Sequence, residues 1–270
     1  MRKCNVMLFA AGLGTRLRPY TLNTPKPAIP LLNIPLGYYL YPYLQKLSIE
    51  HFIVNTFHLP QKIHQLYKNL DSSIQFSDEV NFIKGSGGGL KQAENQFGNH
   101  PENILICNSD EVLFTKDDDF LNQALRNHIL PKALATLIVT QHPLAGSKFG
   151  AIWGDDHGRV IHIGKEAPKE KAHPWHFVGL QILSPMIFSM IPLGEESNIF
   201  YDVLIHQLKN HLVQVYPIQA DWYETGNLED YTKAKVEILQ KIKSEPEYRK
   251  HFEDLSKIPK LAGMQISDLA

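Results

Sequence analysis

The chain has 270 residues, 43% of them hydrophobic and 20% charged, which favours one large α/β domain with a sizeable core. The formal net charge of −1 excludes a general basic field, so we expect no nucleic-acid partner and no binding to a membrane. The sequence has no apolar run long enough to span a membrane. Its two cysteines, Cys4 and Cys107, each lie in an apolar run and give no disulfide framework, so we expect a cytoplasmic location.

The first half of the chain alternates strand and helix patterns. Residues 3–10 are almost all apolar, which predicts a buried parallel strand, and a long loop rich in Pro, Thr and Gly follows over 11–34. The next predicted elements are a helix at 38–47, strand 52–56, helix 60–70, strand 78–84, helix 90–97, strand 103–107, helix 119–128 and strand 134–140. This alternation predicts a doubly wound, mostly parallel sheet.

Beyond residue 145 the pattern changes to one that predicts a mixed-sheet extension. The predicted elements are a hairpin of strands 149–153 and 159–163, strand 177–183, helix 198–208, strand 212–217, a polar-aromatic loop at 221–226 and helix 228–242. We therefore expect one domain over residues 1–242, with halves that divide near residue 145. Residues 243–270 are expected to form a charged tail with one short helix, at about 246–256, and a loose end.

The loop after the first strand has the residues that a polyphosphate site requires. Gly12 and Gly14 allow backbone N–H groups to approach an anion closely, and Arg16 and Lys26 supply positive charge. An ordinary strand-to-helix turn explains the two glycines alone equally well. The dinucleotide fingerprint lacks its third glycine, because Leu17 occupies that position, and the chain has no Walker motif.

Two later segments add to this prediction. The glycine cluster at 85–89 opens a predicted helix, whose free N–H groups could face a ligand. Asp110 and Glu111 directly follow the predicted strand 103–107, and open α/β sheets bind ligands at that end of their strands. Histidine pairs such as His173 and His176 are more typical of scattered core or surface histidines than of metal ligands.

Together these segments resemble the sugar-1-phosphate nucleotidyltransferases, also called nucleotide-sugar pyrophosphorylases. The family pattern L-A-A-G-x-G-T-R-L-x-P-x-T-x-x-x-P-K-P is similar to residues 8–27, and the resemblance covers roughly residues 3–240. No C-terminal β-helix repeat is evident, which favours the short members, such as mannose-1-phosphate guanylyltransferase-like or N-acetylmuramate-1-phosphate uridylyltransferase-like enzymes.

The resemblance implies a Rossmann-like three-layer α/β/α nucleotide-diphospho-sugar transferase fold. Residues 1–145 would form the nucleotide-binding half, and residues 146–242 would form the half that binds the sugar phosphate. The implied reaction transfers NMP from a nucleoside triphosphate to a sugar 1-phosphate, which gives an NDP-sugar and pyrophosphate. A regulatory subunit that binds nucleotide sugars without catalysis, and a cytidylyltransferase acting on a phosphate such as phosphocholine, remain open. So do the base, the sugar and a homo-oligomeric state.

The resemblance also implies roles for individual residues. Arg16, Lys26 and Asp110 would be catalytic, and Asp110 and Glu224 would hold Mg²⁺. The implied nucleotide-binding positions are Ala11, Gly12, Gly14, Thr15, Arg16, Lys26 and Gly88, and the sugar-phosphate positions are Gly150, Lys165, Glu166 and Gly179. The chain departs from the family at two positions. Glu224 replaces the aspartate of the family pattern W-x-D-x-G, and Gly164 replaces the glutamate that usually precedes the lysine corresponding to Lys165.

Overall fold

A computed structural model describes residues 3–99 and 101–261 of the chain. The strands are β1 (Lys3–Phe9), β2 (Pro30–Leu31), β3 (Ile34–Pro35), β4 (Ser48–Thr56), β5 (Gln75–Asp78), β6 (Ile104–Asn108), β7 (Val112–Thr115), β8 (Ala135–Thr140), β9 (Ala151–Gly154), β10 (Val160–Gly164), β11 (His173–Leu183), β12 (Val213–Pro217) and β13 (Ala220–Tyr223). The α-helices are α1 (Tyr41–Leu44), α2 (Pro60–Lys68), α3 (Gly85–Gln92), α4 (Phe120–Ile129), α5 (Ile205–Gln207), α6 (Leu228–Ser244) and α7 (Pro246–Ser256).

The central sheet has a parallel half and a mixed half. Strands β5, β4, β1 and β6 are adjacent in that order and parallel, as alternating strands and helices predict. Strand β11 then pairs antiparallel with β6, β8 and β9, while β10 extends β9 and β12 runs parallel to β8. The predicted α/β fold with a mostly parallel sheet and a mixed second half is confirmed.

The sheet separates two apolar cores, which gives the three-layer arrangement. Successive side chains of a strand point to opposite faces, so Val6 and Leu8 of β1 pack in one core and Met7 packs in the other. The first core also contains side chains of α2, α4, α6 and α7, and the second contains Leu90 of α3 and the segment that leads into α5. Because β1 is covered on both faces, its apolar run is nearly continuous.

A small second sheet, absent from the sequence prediction, lies beside the central one. Strand β7 follows β6 after a three-residue turn, and it pairs antiparallel with β13. The stretch 221–226 was predicted as a loop, but its first three residues belong to β13. Each strand has only four residues, too few for a clear alternation, so the pairing depends on the tertiary structure.

The segment around residues 78–92 differs from the prediction. Strand β5 ends at Asp78, so the predicted strand at 78–84 is wrong, and residues 79–84 form a loop closed by Glu79, whose carboxylate accepts the N–H of Lys84 at 2.7 Å. The glycine cluster is the start of α3, whereas the helix was predicted only from residue 90. Glycine disfavours helices, so local propensity could not predict this start.

The helix predicted at 38–47 is also shorter than expected. A 3₁₀ turn over Leu36–Tyr38 leads into α1, which spans only Tyr41–Leu44 and has Pro42 in its first turn. Strand β4 then begins at Ser48, four residues before the predicted strand. Proline fits a first helical turn but not a helix interior, so Pro42 shortens the helix on its N-terminal side.

Helix α7 belongs to the domain core. Its bounds agree with the helix predicted at about 246–256, and Tyr248, Phe252 and Leu255 are buried in the first core. Tyr248 stacks on Phe114 of β7 with ring centroids 4.0 Å apart. The first core therefore includes side chains on both sides of residue 242, while the division near residue 145 stays a prediction. The predicted loose end beyond residue 261 lies outside the described residues.

Candidate active site

The loop after β1 is held by hydrogen bonds from its neighbours. The N–H of Ala10 donates to Oδ1 of Asn55 in β4 at 2.8 Å, and the Thr21 hydroxyl donates to the carbonyl of Gly14 at 2.9 Å. Gly14 is left-handed at φ +60°, and a Cβ there would lie 2.8 Å from Cγ2 of Thr21. Gly12 is exposed, and no atom of residues 3–99 or 101–261 lies within 4 Å of the position of a Cβ, so its outer face is open to a ligand.

The two cations predicted on this loop both reach carboxylates. Lys26 is only 15% exposed and forms an ion pair with Asp110, whose side chain is 24% exposed. The guanidinium of Arg16 is 67% exposed, and its Nη1 lies 3.9 Å from Oε2 of Glu224. The loop therefore lies against the carboxyl end of β6.

The small sheet places the two predicted metal ligands at neighbouring strand ends. Asp110 precedes β7 and Glu224 follows β13, and Val112 pairs with Tyr223 between these strands. The hydroxyl of Thr225 donates to the carbonyl of Asp110 at 3.3 Å. We call Arg16, Lys26, Asp110 and Glu224 the charged end of the site.

Glu111 adds a third carboxylate that was not among the predicted site residues. It accepts hydrogen bonds of 2.7 Å from the side-chain amide of Asn108 and from the indole N–H of Trp222. Burial, and then the neighbouring Asp110, raises the pKa of Glu111 above its ordinary value. Its position next to the predicted Asp110 was the one feature of the sequence that pointed to Glu111. The contact of Glu111 with Trp222 of β13 could not be predicted from the sequence.

Gly179 is the predicted sugar-side residue that lies next to the carboxylates. It has a left-handed φ of +79° in β11, and a Cβ there would overlap the Glu111 carboxylate. Glycine is thus required at this position both by the backbone and by the close approach of Glu111.

The other three sugar-side residues lie on the β9–β10 hairpin. Gly150 precedes β9, Lys165 and Glu166 follow β10, and all three are exposed. The atom nearest to a Cβ at Gly150 is the hydroxyl of Tyr201, at 4.0 Å. We call Gly150, Lys165 and Glu166 the hairpin end of the predicted site; their contact with a sugar phosphate stays a prediction.

The amides of Gly87 and Gly88 are not free, contrary to the expectation for this glycine cluster. Both donate to the carbonyl of Ser197, at 2.8 and 3.4 Å. A Cβ at Gly88 would lie 2.5 Å from the carbonyl oxygen of Glu195. These glycines therefore let α3 pack closely on residues 195–197, and a contact between Gly88 and a nucleotide stays a prediction.

A cavity of about 340 Å³ begins at the charged end. Its lining includes Glu224, Trp222, Phe149 and His142. The buried ring of His176 lies behind this lining, with its centroid 4.1 Å from that of Trp222. The cavity thus lies between Glu224 and a group of aromatic rings, which the sequence patterns did not predict.

The residues present fit a divalent metal ion of the kind that is shared with substrate phosphates. Asp110 and Glu224 offer hard carboxylate oxygens, and Mg²⁺ is usually bound through one or two carboxylates together with phosphates and water. Among residues 3–99 and 101–261, no group of three or more His, Cys, Asp or Glu side chains is arranged to hold a metal ion. A bound phosphate would therefore have to complete the coordination.

The fold and the charged end define an α/β protein with two cations and two carboxylates at the carboxyl edge of its parallel strands. Residues 5–241 match the nucleotidyl transferase family, and the chain belongs to that family. The family is generally dependent on a divalent metal ion.

Named relatives and solved structures agree with this membership. The chain is 30% identical to the D-glycero-alpha-D-manno-heptose 1-phosphate guanylyltransferase of Aneurinibacillus thermoaerophilus, over 87% of this chain and 99% of that protein. It is 28% identical to a UTP–glucose-1-phosphate uridylyltransferase of Synechocystis sp., over 87% of this chain but only 63% of that relative. The crystal structure of apo UDP-glucose pyrophosphorylase has a TM-score of 0.71 at 22% identity, covering 88% and 99% of the two chains, which supports the fold.

Among the described residues, no helix has the length and apolar character that crossing a membrane requires.

Proposed function

We propose that the protein transfers a nucleotidyl group from a nucleoside triphosphate to a sugar 1-phosphate. A phosphate oxygen of the sugar 1-phosphate attacks the α-phosphorus, the bond to the β-phosphate breaks, and pyrophosphate leaves with its electrons. The observation that carries the proposal is the charged end, where Lys26 pairs with Asp110 and Arg16 lies beside Glu224. Such a site suits two polyanions that must be aligned and partly neutralised.

Each side chain of the charged end has a role in this proposal. Arg16 and Lys26 bind the triphosphate and stabilise the charge that develops on pyrophosphate. Asp110 and Glu224 would hold Mg²⁺, which would neutralise phosphate charge and help to orient the two substrates. Because Lys26 and Asp110 already form an ion pair, their side chains are positioned before substrate arrives. A phosphate oxygen is a competent nucleophile, so no protein base is required.

The remaining predicted residues complete the proposal. The backbone at Ala11, Gly12, Gly14 and Thr15 approaches the phosphates, and Gly88 contacts the nucleotide. Gly150, Lys165, Glu166 and Gly179 bind the sugar phosphate. The buried free thiols of Cys4 and Cys107 support a reducing, cytoplasmic location. The proposal leaves open whether the enzyme is a homo-oligomer, which light scattering on the purified protein would decide.

Pyrophosphate release tests the proposed reaction. The panel combines four nucleoside triphosphates with the 1-phosphates of glucose, mannose, N-acetylglucosamine and D-glycero-D-manno-heptose, with Mg²⁺ and with chelator. We expect metal-dependent release with at least one pair. Nucleotide-sugar binding without release would favour a regulatory subunit, and release with CTP and phosphocholine alone would favour a cytidylyltransferase. No observation on the described residues favours either alternative.

A further inference from the structure

Glu79 is a buried carboxylate that has no part in the proposed reaction so far. It directly follows β5 and is 5% exposed. Its Oε1 accepts the side-chain amide of Asn55 and its Oε2 accepts the backbone N–H of Lys84, both at 2.7 Å. Burial raises the pKa of Glu79, and the hydrogen bonds from Lys84 and Asn55 offset part of that rise. Burying a carboxylate is costly unless hydrogen bonds satisfy it, so these two donors account for its position.

The side chain of Asn55 connects Glu79 to the loop after β1. Asn55 is 2% exposed, and its Oδ1 accepts the N–H of Ala10 at 2.8 Å. Because a backbone N–H is always a donor, Oδ1 has to face Ala10 and Nδ2 has to face residue 79. Residue 79 must therefore accept a hydrogen bond from Asn55 and another from the N–H of Lys84. A carboxylate meets both requirements, whereas the amide of a glutamine meets only one of them.

The loop after β1 is anchored near both of its ends. Residues 10–14 form neither helix nor strand, and beyond Ala10 the hydroxyl of Thr21 donates to the carbonyl of Gly14 at 2.9 Å. Between these anchors, no atom of the described residues lies within 4 Å of a Cβ position at Gly12. The position of this open stretch therefore depends on the hydrogen bond between Asn55 and Ala10.

Glu79 also contacts the second segment that is assigned to the nucleotide. Lys84 directly precedes α3, so its hydrogen bond to Glu79 fixes the start of that helix. A Cβ at Gly89 would lie 2.7 Å from Oε1 of Glu79 and 2.8 Å from Nδ2 of Asn55, so glycine lets α3 approach this pair closely. One carboxylate thus holds the loop after β1 and the start of α3 in a fixed relation.

We propose that Glu79 is a positioning residue for the nucleoside triphosphate. It acts through Asn55 and Lys84, which set the loop after β1 against the start of α3, and it need not touch a substrate. The inference rests on the proposed function, because that function assigns the loop after β1 and Gly88 to the nucleotide. Loss of the carboxylate should weaken binding of the triphosphate and spare binding of the sugar 1-phosphate.

A single and a double variant test this role, and both remove the charge at position 79. Glu79→Gln leaves one N–H donor facing the N–H₂ of the new amide, so one of the two links is lost. In Asn55→Asp/Glu79→Gln, the new carboxylate can accept from Ala10 and from the new amide, whose oxygen can accept the N–H of Lys84. Every donor then has an acceptor again, and the negative charge has moved from position 79 to position 55.

The expected result is a selective change in KM. Glu79→Gln should raise the KM for the nucleoside triphosphate about tenfold and leave the KM for the sugar 1-phosphate within about twofold of wild type. The double variant should return the KM for the triphosphate to within about threefold of wild type. Asp119→Asn is the matched control, because Asp119 accepts the side-chain amide of Asn122 at the same 2.7 Å beside α4, which carries none of the predicted site residues. Both KM values should be unchanged in this control.

Calorimetry separates positioning from a general loss of stability. ATP, CTP, GTP and UTP are each titrated with Mg²⁺ into the wild type and the variants, at a temperature well below every melting point. For the nucleotide that binds the wild type best, the dissociation constant should rise about tenfold in Glu79→Gln and recover in the double variant. Asn55→Ala, which removes only the link to Ala10, should weaken binding similarly, and it keeps the test decisive if Glu79→Gln does not fold.

Different outcomes would overturn this inference and the proposed function. A dissociation constant within about twofold of wild type in Glu79→Gln and Asn55→Ala, despite lower melting temperatures, would reduce Glu79 to a structural role. An equal rise in both KM values, or a double variant that binds as weakly as Glu79→Gln, would also contradict positioning. Absence of pyrophosphate release by a wild type that still binds nucleotide would instead contradict the proposed function.

Discussion

The charged end and the hairpin end of the site differ in how firmly the fold fixes their side chains. At the charged end, Lys26 and Asp110 are mostly buried and paired, and Glu224 accepts the N–H of Gly226 at 2.5 Å. At the hairpin end, Lys165 and Glu166 are exposed beyond the last residue of β10. The comparison indicates that Lys26, Asp110 and Glu224 are held in place before substrate binds, whereas the exposed Arg16 and the residues of the hairpin end would be ordered by the substrate.

The largest effect should follow a change at the centre of the charged end. Asp110→Asn removes one carboxylate charge and leaves Lys26 without its ion-pair partner. We expect kcat to fall by about 100-fold or more, as when one stabilising group of an active site is removed. Steady-state pyrophosphate release measures this fall in kcat. Asp155→Asn is the control, because Asp155 lies in the turn of the β9–β10 hairpin and its side-chain oxygen accepts two backbone N–H groups there. The amide oxygen of asparagine can accept the same two hydrogen bonds. Near-normal turnover in Asp110→Asn would remove Asp110 from the proposed metal site.

Glu224 should give the next largest effect. Glu224→Ala removes a carboxylate from the proposed metal site and takes the Arg16 contact with it, so activity should fall by more than about tenfold. Glu224→Asp keeps the hard oxygen ligand with a reach shorter by one methylene, and we expect it to retain much of the activity, with a raised requirement for Mg²⁺. Activities measured across a Mg²⁺ titration compare the three proteins. Equal activity of all three would show that position 224 is not a ligand.

Two glycine substitutions examine the junction between the charged end and the sugar side. Gly179→Ala forces a side chain into a left-handed backbone and against Glu111, so the free energy of unfolding should fall by about 1–3 kcal/mol. The methyl group of Gly12→Ala meets no atom of the described residues, so stability should change by less than about 0.5 kcal/mol, while the KM for the nucleoside triphosphate should rise. Urea unfolding and steady-state kinetics give both quantities. Equal stability of the two variants would mean that Glu111 moves freely away from Gly179.

The distance along the chain between contacting residues explains how much of the site the sequence could predict. Asp110 was predictable because it lies two residues after the end of β6, and β6 is adjacent to β1 in the parallel sheet. The loop with Lys26 and this carboxylate therefore meet at one edge. The contact between Arg16 and Glu224 required the pairing of β7 with β13, two short strands about a hundred residues apart in the chain. Glycine spacing did not reveal that Gly88 packs on Glu195, because that contact is long-range.

Two further residues escaped prediction for the same reason. Asn55 looks like an ordinary strand residue, and its role in holding Ala10 appears only when β4 lies beside β1. His176 looks like one of thirteen scattered histidines, and its burial against Trp222 and Phe149, with no hydrogen-bond partner for its ring nitrogens among the described residues, appears only in the structure. Local patterns thus predicted the elements that carry the site, while tertiary packing decided which side chains meet there.

The smallest effect should come from the hairpin end. Lys165→Ala removes an exposed cation. Its side chain would lose conformational entropy on binding a phosphate, so its net contribution should be small. We therefore expect only about a threefold to tenfold higher KM for the sugar 1-phosphate and an unchanged kcat. Lys169→Ala, an exposed lysine four residues further along the same loop, should have no effect. Raising the ionic strength should weaken sugar-phosphate binding in the wild type more than in Lys165→Ala, because salt screens exposed charges. If activity fell as far in Lys165→Ala as in Asp110→Asn, Lys165 would have to be held firmly against the reacting phosphate. The side chains of both ends would then be equally preorganised before substrate binds.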